Sequence, residues 1–252
     1  MNSPLQLLVP ALNEEENLPR LMAELTPMLE QLGRPWQLLV VDDGSTDQTP
    51  TLLAELSRHL PVSTVRHGHN RGPGAAFLTG FLKILPQCSD DTPIITLEAD
   101  TTSDVQILPS MLRRFDAGVD VVLASVYHPQ GGLKNAPSHR RLLSLGANVL
   151  LQQAFQMEDV YTFSSFYRIY RAGLLKRALE QYGRQMMGEP GFASVVELLI
   201  KLRRLGARVE EIPMVLDSSK RRGTSRMKVM RTIRAYMRLM TRLNLEPPPV
   251  DR

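Results

Sequence analysis

Cysteine and long apolar runs are scarce in this chain of 252 residues. Its single cysteine, Cys88, cannot form an intrachain disulfide, and such scarcity is typical of proteins from a reducing compartment. No segment approaches the ~18 consecutive apolar residues that a membrane-spanning helix needs. The first residues lack a basic stretch followed by an apolar one, so no signal peptide is expected. We therefore expect a cytoplasmic protein, or one peripheral on the cytosolic face of a membrane.

Acidic residues are absent from residues 220–242, although the whole chain holds 26 acidic against 30 basic residues and carries a net charge of +4. Lysines and arginines are frequent in this stretch: Lys220, Arg221, Arg222, Arg226, Lys228, Arg231, Arg234, Arg238 and Arg242. Such a segment favours a phosphate-bearing ligand or an anionic membrane surface as partner. We expect no nucleic-acid partner.

Apolar residues recur at helical spacing between Met227 and Leu243. Two alternatives fit this pattern: an interfacial helix that lies on anionic lipid, or a helix docked on the core with a basic outer face. We predict a catalytic domain over residues 1–226, a basic amphipathic helix over residues 227–243 and a disordered tail over residues 244–252.

Strand-length apolar segments alternate with helix-like segments through the first half of the chain. Strands are predicted at residues 5–10, 36–41, 61–65, 94–97 and 119–125, with helices at 14–32, 45–59, 74–85 and 105–115. In the second half we predict a mobile loop at 128–137, helices at 140–155 and 191–205, and strands at 161–170 and 208–216. The alternation predicts an α/β fold, a doubly wound, mostly parallel sheet with helices on both faces.

Three helix starts carry a residue pattern typical of caps. Asn13 followed by Glu16 resembles a capping box, and Ser45 with Gln48 and Ser103 with Gln106 have the same spacing. Each pair predicts where a helix begins.

Acidic side chains follow two of the predicted strands. Asp42 and Asp43 come directly after residues 36–41, and Glu98 and Asp100 follow residues 94–97. Open α/β sheets bind ligands at the carboxyl ends of their strands. Because Mg²⁺ and Mn²⁺ prefer oxygen ligands, the two acidic pairs indicate a metal-assisted nucleotide site.

Five sequence blocks in a fixed order make this interpretation specific. They are residues 9–18 (VPALNEEENL), 41–49 (VDDGSTDQT), 70–80 (NRGPGAAFLTG), 98–100 (EAD) and 221–227 (RRGTSRM). Together they resemble the family 2 glycosyltransferases, whose opening pattern is V-P-x-x-N-E-x-x-N-L. The branch to which they are most similar is the dolichol-phosphate mannosyltransferase-like one. The resemblance implies a GT-A type nucleotide-sugar-binding fold and an inverting, metal-dependent transfer of a sugar from a GDP- or UDP-linked donor.

The resemblance also implies roles for the residues of the metal and diphosphate sites. Asp100 matches the metal-binding aspartate, and Glu98 would assist it in holding Mg²⁺ or Mn²⁺. Arg221 is the first choice for the arginine that closes on the donor diphosphate, and Arg222 is the second. Gly74 opens a helix whose amides would face the donor phosphates.

The same resemblance places a nucleotide pocket around the first two strands. Pro10, Leu12 and Glu14 would line the base and ribose pocket, and Asp42 would hold the base or ribose edge. Asp43 would either contact the nucleotide or support the turn.

The acceptor side leaves alternatives open. Arg140 and Ser144, four residues apart on one helix face, resemble the pair that holds the lipid phosphate in polyprenyl-phosphate sugar synthases. Val126 stands where that branch usually has an arginine. A hydroxyl acceptor would instead need a carboxylate as general base, with Glu189 the first candidate and Asp159 the next. A nucleotide-binding subunit without turnover is a further alternative.

Overall fold

The computed structural model describes residues 3–223 and 229–246, apart from the side chains of residues 139, 140, 229 and 230. Its strands are β1 (Leu5–Ala11), β2 (Trp36–Asp42), β3 (Val62–Arg66), β4 (Pro93–Thr96), β5 (Val121–Ser125), β6 (Gly132–Lys134), β7 (Arg168–Arg171), β8 (Val209–Pro213) and β9 (Val215–Asp217). Its α-helices are α1 (Leu18–Gln31), α2 (Thr49–His59), α3 (Pro73–Ile84), α4 (Leu108–Asp116), α5 (Ser138–Phe155), α6 (Ala172–Tyr182), α7 (Ser194–Arg204) and α8 (Val229–Leu245).

The main sheet of the described chain has seven strands in the order β3-β2-β1-β4-β7-β5-β8. All neighbours are parallel except β7, which runs antiparallel to both β4 and β5. The chain moves outward from β1 to β3 and then returns to the other side of β1 as β4. This reversal opens a crevice at the carboxyl ends of β1 and β4, the place where open α/β sheets bind their ligands.

Helices cover both faces of this sheet, so its strands are buried on both sides. Along β2, Leu39 and Val41 point into one apolar cluster, whereas Leu38 and Val40 point into the other. This alternation follows from the two-residue period of a strand. The predicted α/β, doubly wound, mostly parallel sheet is confirmed.

The cap-based helix starts are wrong at the first two helices. α1 begins at Leu18 and α2 at Thr49, both later than expected, and neither N-cap side chain makes a capping hydrogen bond. The predicted cap residues join the two loops instead, because Asn13 Oδ1 accepts from the Thr46 amide (2.7 Å) and Ser45 Oγ accepts from the Asn13 amide (2.8 Å). Local spacing alone does not distinguish a cap from a bridge between loops.

The cap at the fourth predicted helix is also reassigned. Asp104, and not Ser103, accepts from the Gln106 amide at 3.0 Å, and this bond begins a short 3₁₀ turn that leads into α4.

The second half of the chain departs from its predicted elements. Residues 128–137 include a strand, β6, which pairs with β9 in a small parallel sheet. The strand expected at residues 161–170 is confined to β7, and the sequence did not predict α6 at all. Phe163, Phe166 and Tyr167 are buried although they belong to no strand, so their apolar pattern alone did not mark one.

α8 occupies much of the predicted C-terminal helix. Its apolar side enters the core, with Leu239 and Leu243 fully buried, so the docked alternative describes this side of the helix. Residues 227, 228 and 247–252, which belong to the predicted helix and tail, lie outside the described residues. The division into domain, helix and tail stays a prediction. Among the helices that the structure describes, none combines the length and apolar character needed to cross a bilayer.

The turn after β2 depends on a glycine, which gives a direct test. Gly44 has φ +81°, and a Cβ there would lie 2.6 Å from the His69 carbonyl carbon, whereas Gly33 has φ +62° and open space around it. We expect Gly33→Ala to lower the free energy of unfolding by about 1 kcal/mol, the cost of the left-handed backbone alone. Gly44→Ala should cost at least about 2 kcal/mol more, because the neighbouring backbone must shift. Urea unfolding measures both, and equal losses would contradict the close approach.

Candidate active site

Four loops meet at the carboxyl edge of the sheet. Residues 12–17 follow β1, residues 43–48 follow β2, and residues 97–104 follow β4. The described part of the basic loop, residues 220–223, comes from the far end of the chain and joins them. The topological reversal between β1 and β4 therefore carries the sequence-predicted residues to one place.

Asp100 is the carboxylate around which this edge is organised. It is only 6% exposed. Its Oδ1 accepts from the amide (3.0 Å) and the hydroxyl (2.7 Å) of Thr102, and its Oδ2 accepts from Arg221 Nε at 2.7 Å and from Nη2 of the same side chain. The structure thus pairs the predicted metal ligand with the predicted diphosphate arginine, because a buried carboxylate needs a compensating charge.

Glu98 lies on the same loop but is hydrogen-bonded to a neutral side chain and not to an arginine. Its Oε2 accepts from the Ser103 hydroxyl at 3.0 Å. Burial, reinforced by the Asp100 carboxylate nearby, raises the pKa of Glu98 to about 7. Without a cation, this carboxyl therefore holds a proton up to near neutral pH.

The basic loop is fixed to the edge by two side chains of the first helix region. Asn17 accepts from the Arg222 amide (2.9 Å) through Oδ1 and donates to the Arg222 carbonyl (3.1 Å) through Nδ2. Arg20 donates to the Lys220 carbonyl at 2.6 Å. No role for Asn17 was predicted from the sequence, although its position in the first family-like block was an available signal.

Asp42 and Asp43 have separate structural partners. Asp43 accepts from the amides of Arg71 (2.9 Å) and Gly72 (2.7 Å), and its Oδ1 lies 2.7 Å from His67 Nδ1. These bonds shape the loop before α3 and agree with the alternative in which Asp43 supports the turn.

Asp42 is fully buried, and each of its carboxylate oxygens lies near a polar group of the protein. Its Oδ1 accepts from the Ser45 amide at 2.8 Å, and its Oδ2 lies 3.1 Å from Arg66 Nε. The Arg66 side chain is mostly exposed.

The three residues predicted to line the base and ribose pocket lie at the end of β1 and in the loop that follows it. Pro10, Leu12 and Glu14 are all half-buried. Glu14 Oε2 accepts from Asn17 Nδ2 at 2.7 Å, so it belongs to the same network as the basic loop. Their contact with a nucleotide stays a prediction.

Gly74 packs directly against the backbone of the segment that precedes α7. Its amide donates to the Pro190 carbonyl at 2.9 Å, and a Cβ at this position would lie 2.2 Å from the Glu189 carbonyl oxygen. Only glycine permits this close approach. In this structure the amide predicted to face the donor phosphates is already bound within the protein.

Glu189 is brought to the same edge by that packing, but its carboxylate faces α8. Its oxygens lie 3.8 Å from Arg238 Nη2 and 4.0 Å from Arg242 Nη2. These residues, with Met237 and Thr241, line an open cleft of about 610 Å³. Asp159 lies elsewhere, since it forms an exposed ion pair with Arg203 at the opposite end of α7.

The predicted acceptor residues lie near the start of α5. The Ser144 hydroxyl is hydrogen-bonded to the Tyr127 phenol, whose pKa burial raises. The Arg140 side chain lies outside the described residues. Val126 is half-buried and packs against the core.

No cluster of three or more His, Cys, Asp or Glu side chains that could hold a metal alone occurs in residues 3–223 and 229–246. Mg²⁺ is commonly bound by one or two carboxylates together with substrate phosphates, and two carboxylates are what this edge offers. Asp100 already binds a cationic side chain there. The residues therefore fit a metal that is completed by a diphosphate ligand.

The sequence comparisons identify the domain. The model of "Glycosyl transferase family 2" matches residues 7–179. This chain belongs to that family. It therefore carries a glycosyltransferase domain, in agreement with the family predicted from the five blocks.

Curated relatives of this glycosyltransferase chain are similar over nearly its whole length. It is 29% identical to the dolichol-phosphate mannosyltransferase of Pyrococcus furiosus over 98% of this chain and 65% of the relative. It is 28% identical to the undecaprenyl-phosphate 4-deoxy-4-formamido-L-arabinose transferase of Salmonella paratyphi B over 96% of this chain and 68% of the relative. The chain thus spans about two thirds of their length.

A solved structure confirms the GT-A type fold of the glycosyltransferase. The crystal structure of glucosyl-3-phosphoglycerate synthase from Mycobacterium tuberculosis with Mn²⁺, UDP and glucosyl-3-phosphoglycerate has a TM-score of 0.62. It shares 18% identity, and the match covers 98% of this chain and 81% of that one.

The Arg221–Asp100 pair predicts competition with a divalent cation. Because both would bind Asp100, Arg221→Met should tighten Mn²⁺ binding in the absence of donor by about fivefold, the value expected for a partly exposed ion pair. Arg222→Met removes the same charge from the next residue, which has no such bond, and serves as the matched control. Calorimetric titration measures both, and equal affinities for the two variants would contradict the competition.

The raised pKa of Glu98 predicts a pH-dependent stability. As pH rises from about 4.5 to about 7, the unfolded chain loses this proton while the folded protein keeps it. The free energy of unfolding should therefore fall over that range, by up to about 3 kcal/mol from this group. Glu98→Gln should remove this part of the fall when urea unfolding is measured with a chelator present. Glu55→Gln on exposed α2 is the control, and an unchanged pH profile in Glu98→Gln would refute the assignment.

Proposed function

We propose that this protein transfers a sugar, with inversion at the anomeric carbon, from a GDP- or UDP-linked donor to a polyprenyl phosphate. The observation that carries this proposal is the convergence of Asp100, Glu98 and Arg221 at the reversal between β1 and β4. The names of the curated relatives, which refer to dolichol and undecaprenyl phosphates, support the lipid phosphate as acceptor.

The donor would lie across the carboxyl ends of β1, β2 and β4. The half-buried Pro10, Leu12 and Glu14, with Asp42, supply a wall for the base and ribose. Arg221 carries a forked guanidinium, which suits diphosphate oxygens as well as it suits Asp100. Arg221 would move from carboxylate to diphosphate when the donor binds.

Mg²⁺ or Mn²⁺ would be held by Asp100, with Glu98 assisting. Bound there, the cation would neutralise the negative charge that develops on the departing diphosphate. The manganese ion in the glucosyl-3-phosphoglycerate synthase complex supports divalent metal use in this fold.

The acceptor would approach from the start of α5. A phosphate oxygen is already anionic near neutral pH, so it needs orientation and desolvation more than a general base. Ser144, half-buried beside Tyr127, and Arg140 are the residues we assign to this phosphate. Val126 supplies no charge, so the arginine usual in this branch has no counterpart at that position.

A hydroxyl acceptor is the second candidate function. One observation favours it: Glu189, a carboxylate suited to accept a proton, lies at the carboxyl edge and lines an open cleft. Asp159 is not part of this alternative, because its ion pair with Arg203 lies at the far end of α7. A binding subunit without turnover is the third alternative.

The deciding experiment is a transfer assay with GDP-mannose, UDP-glucose and related donors, with Mn²⁺ or Mg²⁺, and with or without a short polyprenyl phosphate. We expect metal-dependent transfer to the lipid phosphate, and a loss of at least about a hundredfold in Asp100→Asn, because that change removes the metal's charged ligand. Asp104→Asn is the matched control, since asparagine caps a helix as well as aspartate does.

Glu189→Gln separates the two acceptor classes. If the acceptor is a lipid phosphate, the variant should keep most of its transfer rate, whereas a general base for a hydroxyl would cost about 10²- to 10⁴-fold. Arg238→Gln disturbs the same contact from α8 and controls for a structural effect. Donor hydrolysis without transfer to lipid phosphate would support a hydroxyl acceptor. Absence of turnover with any donor would support a binding subunit without catalytic activity.

A further inference from the structure

A cleft of about 610 Å³ opens between α8 and the segment that precedes α7. One face of α8 supplies four of its lining residues, Met237, Arg238, Thr241 and Arg242, and Glu189 faces them from the other side. The volume lies within the usual range for small-molecule sites. The proposed function assigns no role to the two arginines of this cleft.

A fully buried carboxylate holds one of these arginines in place. Glu197 is 0% exposed, and its Oε1 lies 2.7 Å from Arg242 Nη2. The same oxygen accepts from Lys201 Nζ at 2.7 Å, and Oε2 accepts from the Glu189 amide at 2.8 Å. Because the Arg242 guanidinium is already fixed, less side-chain entropy is lost when a ligand binds it.

Cations outnumber carboxylates in this cluster. Lys201, Arg238 and Arg242 carry three positive charges, against two negative charges on Glu189 and Glu197. Glu197 is shared between Lys201 and Arg242, so it does not neutralise both. α8 itself contains no aspartate or glutamate. The cleft therefore attracts an anion.

Glu189 is the carboxylate that faces both arginines, but it lies too far from them for hydrogen bonds. Its oxygens are 3.8 Å from Arg238 Nη2 and 4.0 Å from Arg242 Nη2. The Arg238 side chain is 65% exposed, and Arg242 Nε has no hydrogen-bond partner within the described part of the chain. The two guanidinium groups therefore keep donors that the protein itself does not use.

We propose that this cleft binds the phosphate group of a small molecule between Arg238 and Arg242. Guanidinium groups match the geometry of phosphate oxygens and form strong, charge-assisted hydrogen bonds with them. Met237, which is 56% exposed beside them, contacts the apolar part of the ligand. Glu189 competes with the phosphate for both arginines and gives way when it binds.

The cleft has residues of its own, although it borders the candidate active site. The Pro190 carbonyl, next to Glu189, accepts from the Gly74 amide at 2.9 Å at the start of α3. Arg221 and Asp100 lie on other loops. The proposed phosphate site therefore does not depend on the proposed transfer reaction.

The test is calorimetric titration of the unmodified protein with glycerol 3-phosphate. We expect binding that weakens as salt is raised. Arg238→Gln and Arg242→Gln should each weaken it by about tenfold or more, because each removes charge-assisted hydrogen bonds. Arg234→Gln changes an exposed arginine one turn earlier on α8, outside the cleft, and is the matched control that should bind like the unmodified protein.

Glu189→Gln tests the competition directly. Loss of this negative charge should strengthen binding of glycerol 3-phosphate by about threefold, the value expected for a partly exposed ion pair. Weaker binding in this variant would contradict the competition. Lys201 still pairs with Glu197 in Arg242→Gln, so that variant should fold, and circular dichroism checks the fold of each variant.

A phosphate group can also belong to a lipid, and a second titration separates the two sources. Phosphatidylcholine vesicles that contain phosphatidic acid present the same phosphate monoester on a lipid. Binding of glycerol 3-phosphate supports a soluble ligand. Binding of the vesicles alone, if Arg242→Gln abolishes it, supports a lipid phosphate in the same cleft.

Two outcomes would overturn the proposal. One is absence of binding of both glycerol 3-phosphate and the vesicles. The other is binding that Arg221→Met abolishes and that Arg238→Gln and Arg242→Gln leave unchanged, because the phosphate would then lie at the candidate active site.

Discussion

A carboxylate as deeply buried as Asp100 needs a cation beside it, and this requirement organises the candidate active site. In the described structure Arg221 meets it, and the arginine brings the basic loop from the end of the chain onto the loops after β1 and β4. Asn17 and Arg20 then hold that loop by its backbone. Under the proposed function, a metal held with a diphosphate would meet the same need. Arg221 and the metal would then be alternative cations beside Asp100, and donor binding would change the position of the basic loop.

The rest of the edge is preorganised by the protein's own hydrogen bonds. Asp43 shapes the loop before α3, and the close contact of Gly74 with Pro190 joins that loop to the segment before α7. Asp42, Glu98 and Asp100 lie at the same edge, and each of them also has a partner within the protein. The region around α5 differs in character, since the helix starts beside the polar Tyr127 and exposes leucines such as Leu142 and Leu150 farther along.

The sheet and the meeting of the acidic strand ends at its carboxyl edge could be predicted from the sequence because both depend on local signals. Buried strands show as apolar runs, and acidic residues at their ends mark the carboxyl edge. Other features depend on contacts between distant residues. The bond between Gly74 and Pro190, the approach of Glu189 to α8, and the bridge from Asn13 to Thr46 leave no local pattern. The exposure of α5 was equally hidden, since an apolar helix is ordinarily predicted to be buried, and only its packing shows which side stays outside.

The most direct test of the account is calorimetric titration of UDP and GDP into the protein with and without Mn²⁺, in the unmodified chain and in Asp100→Asn. We expect Mn²⁺ to strengthen binding of one of the two nucleotides to the unmodified protein, and we expect this strengthening to disappear in Asp100→Asn. Nucleotide binding that is indifferent to Mn²⁺, or a metal effect that survives in Asp100→Asn, would contradict the central claim that Asp100 exchanges Arg221 for a metal-bound diphosphate.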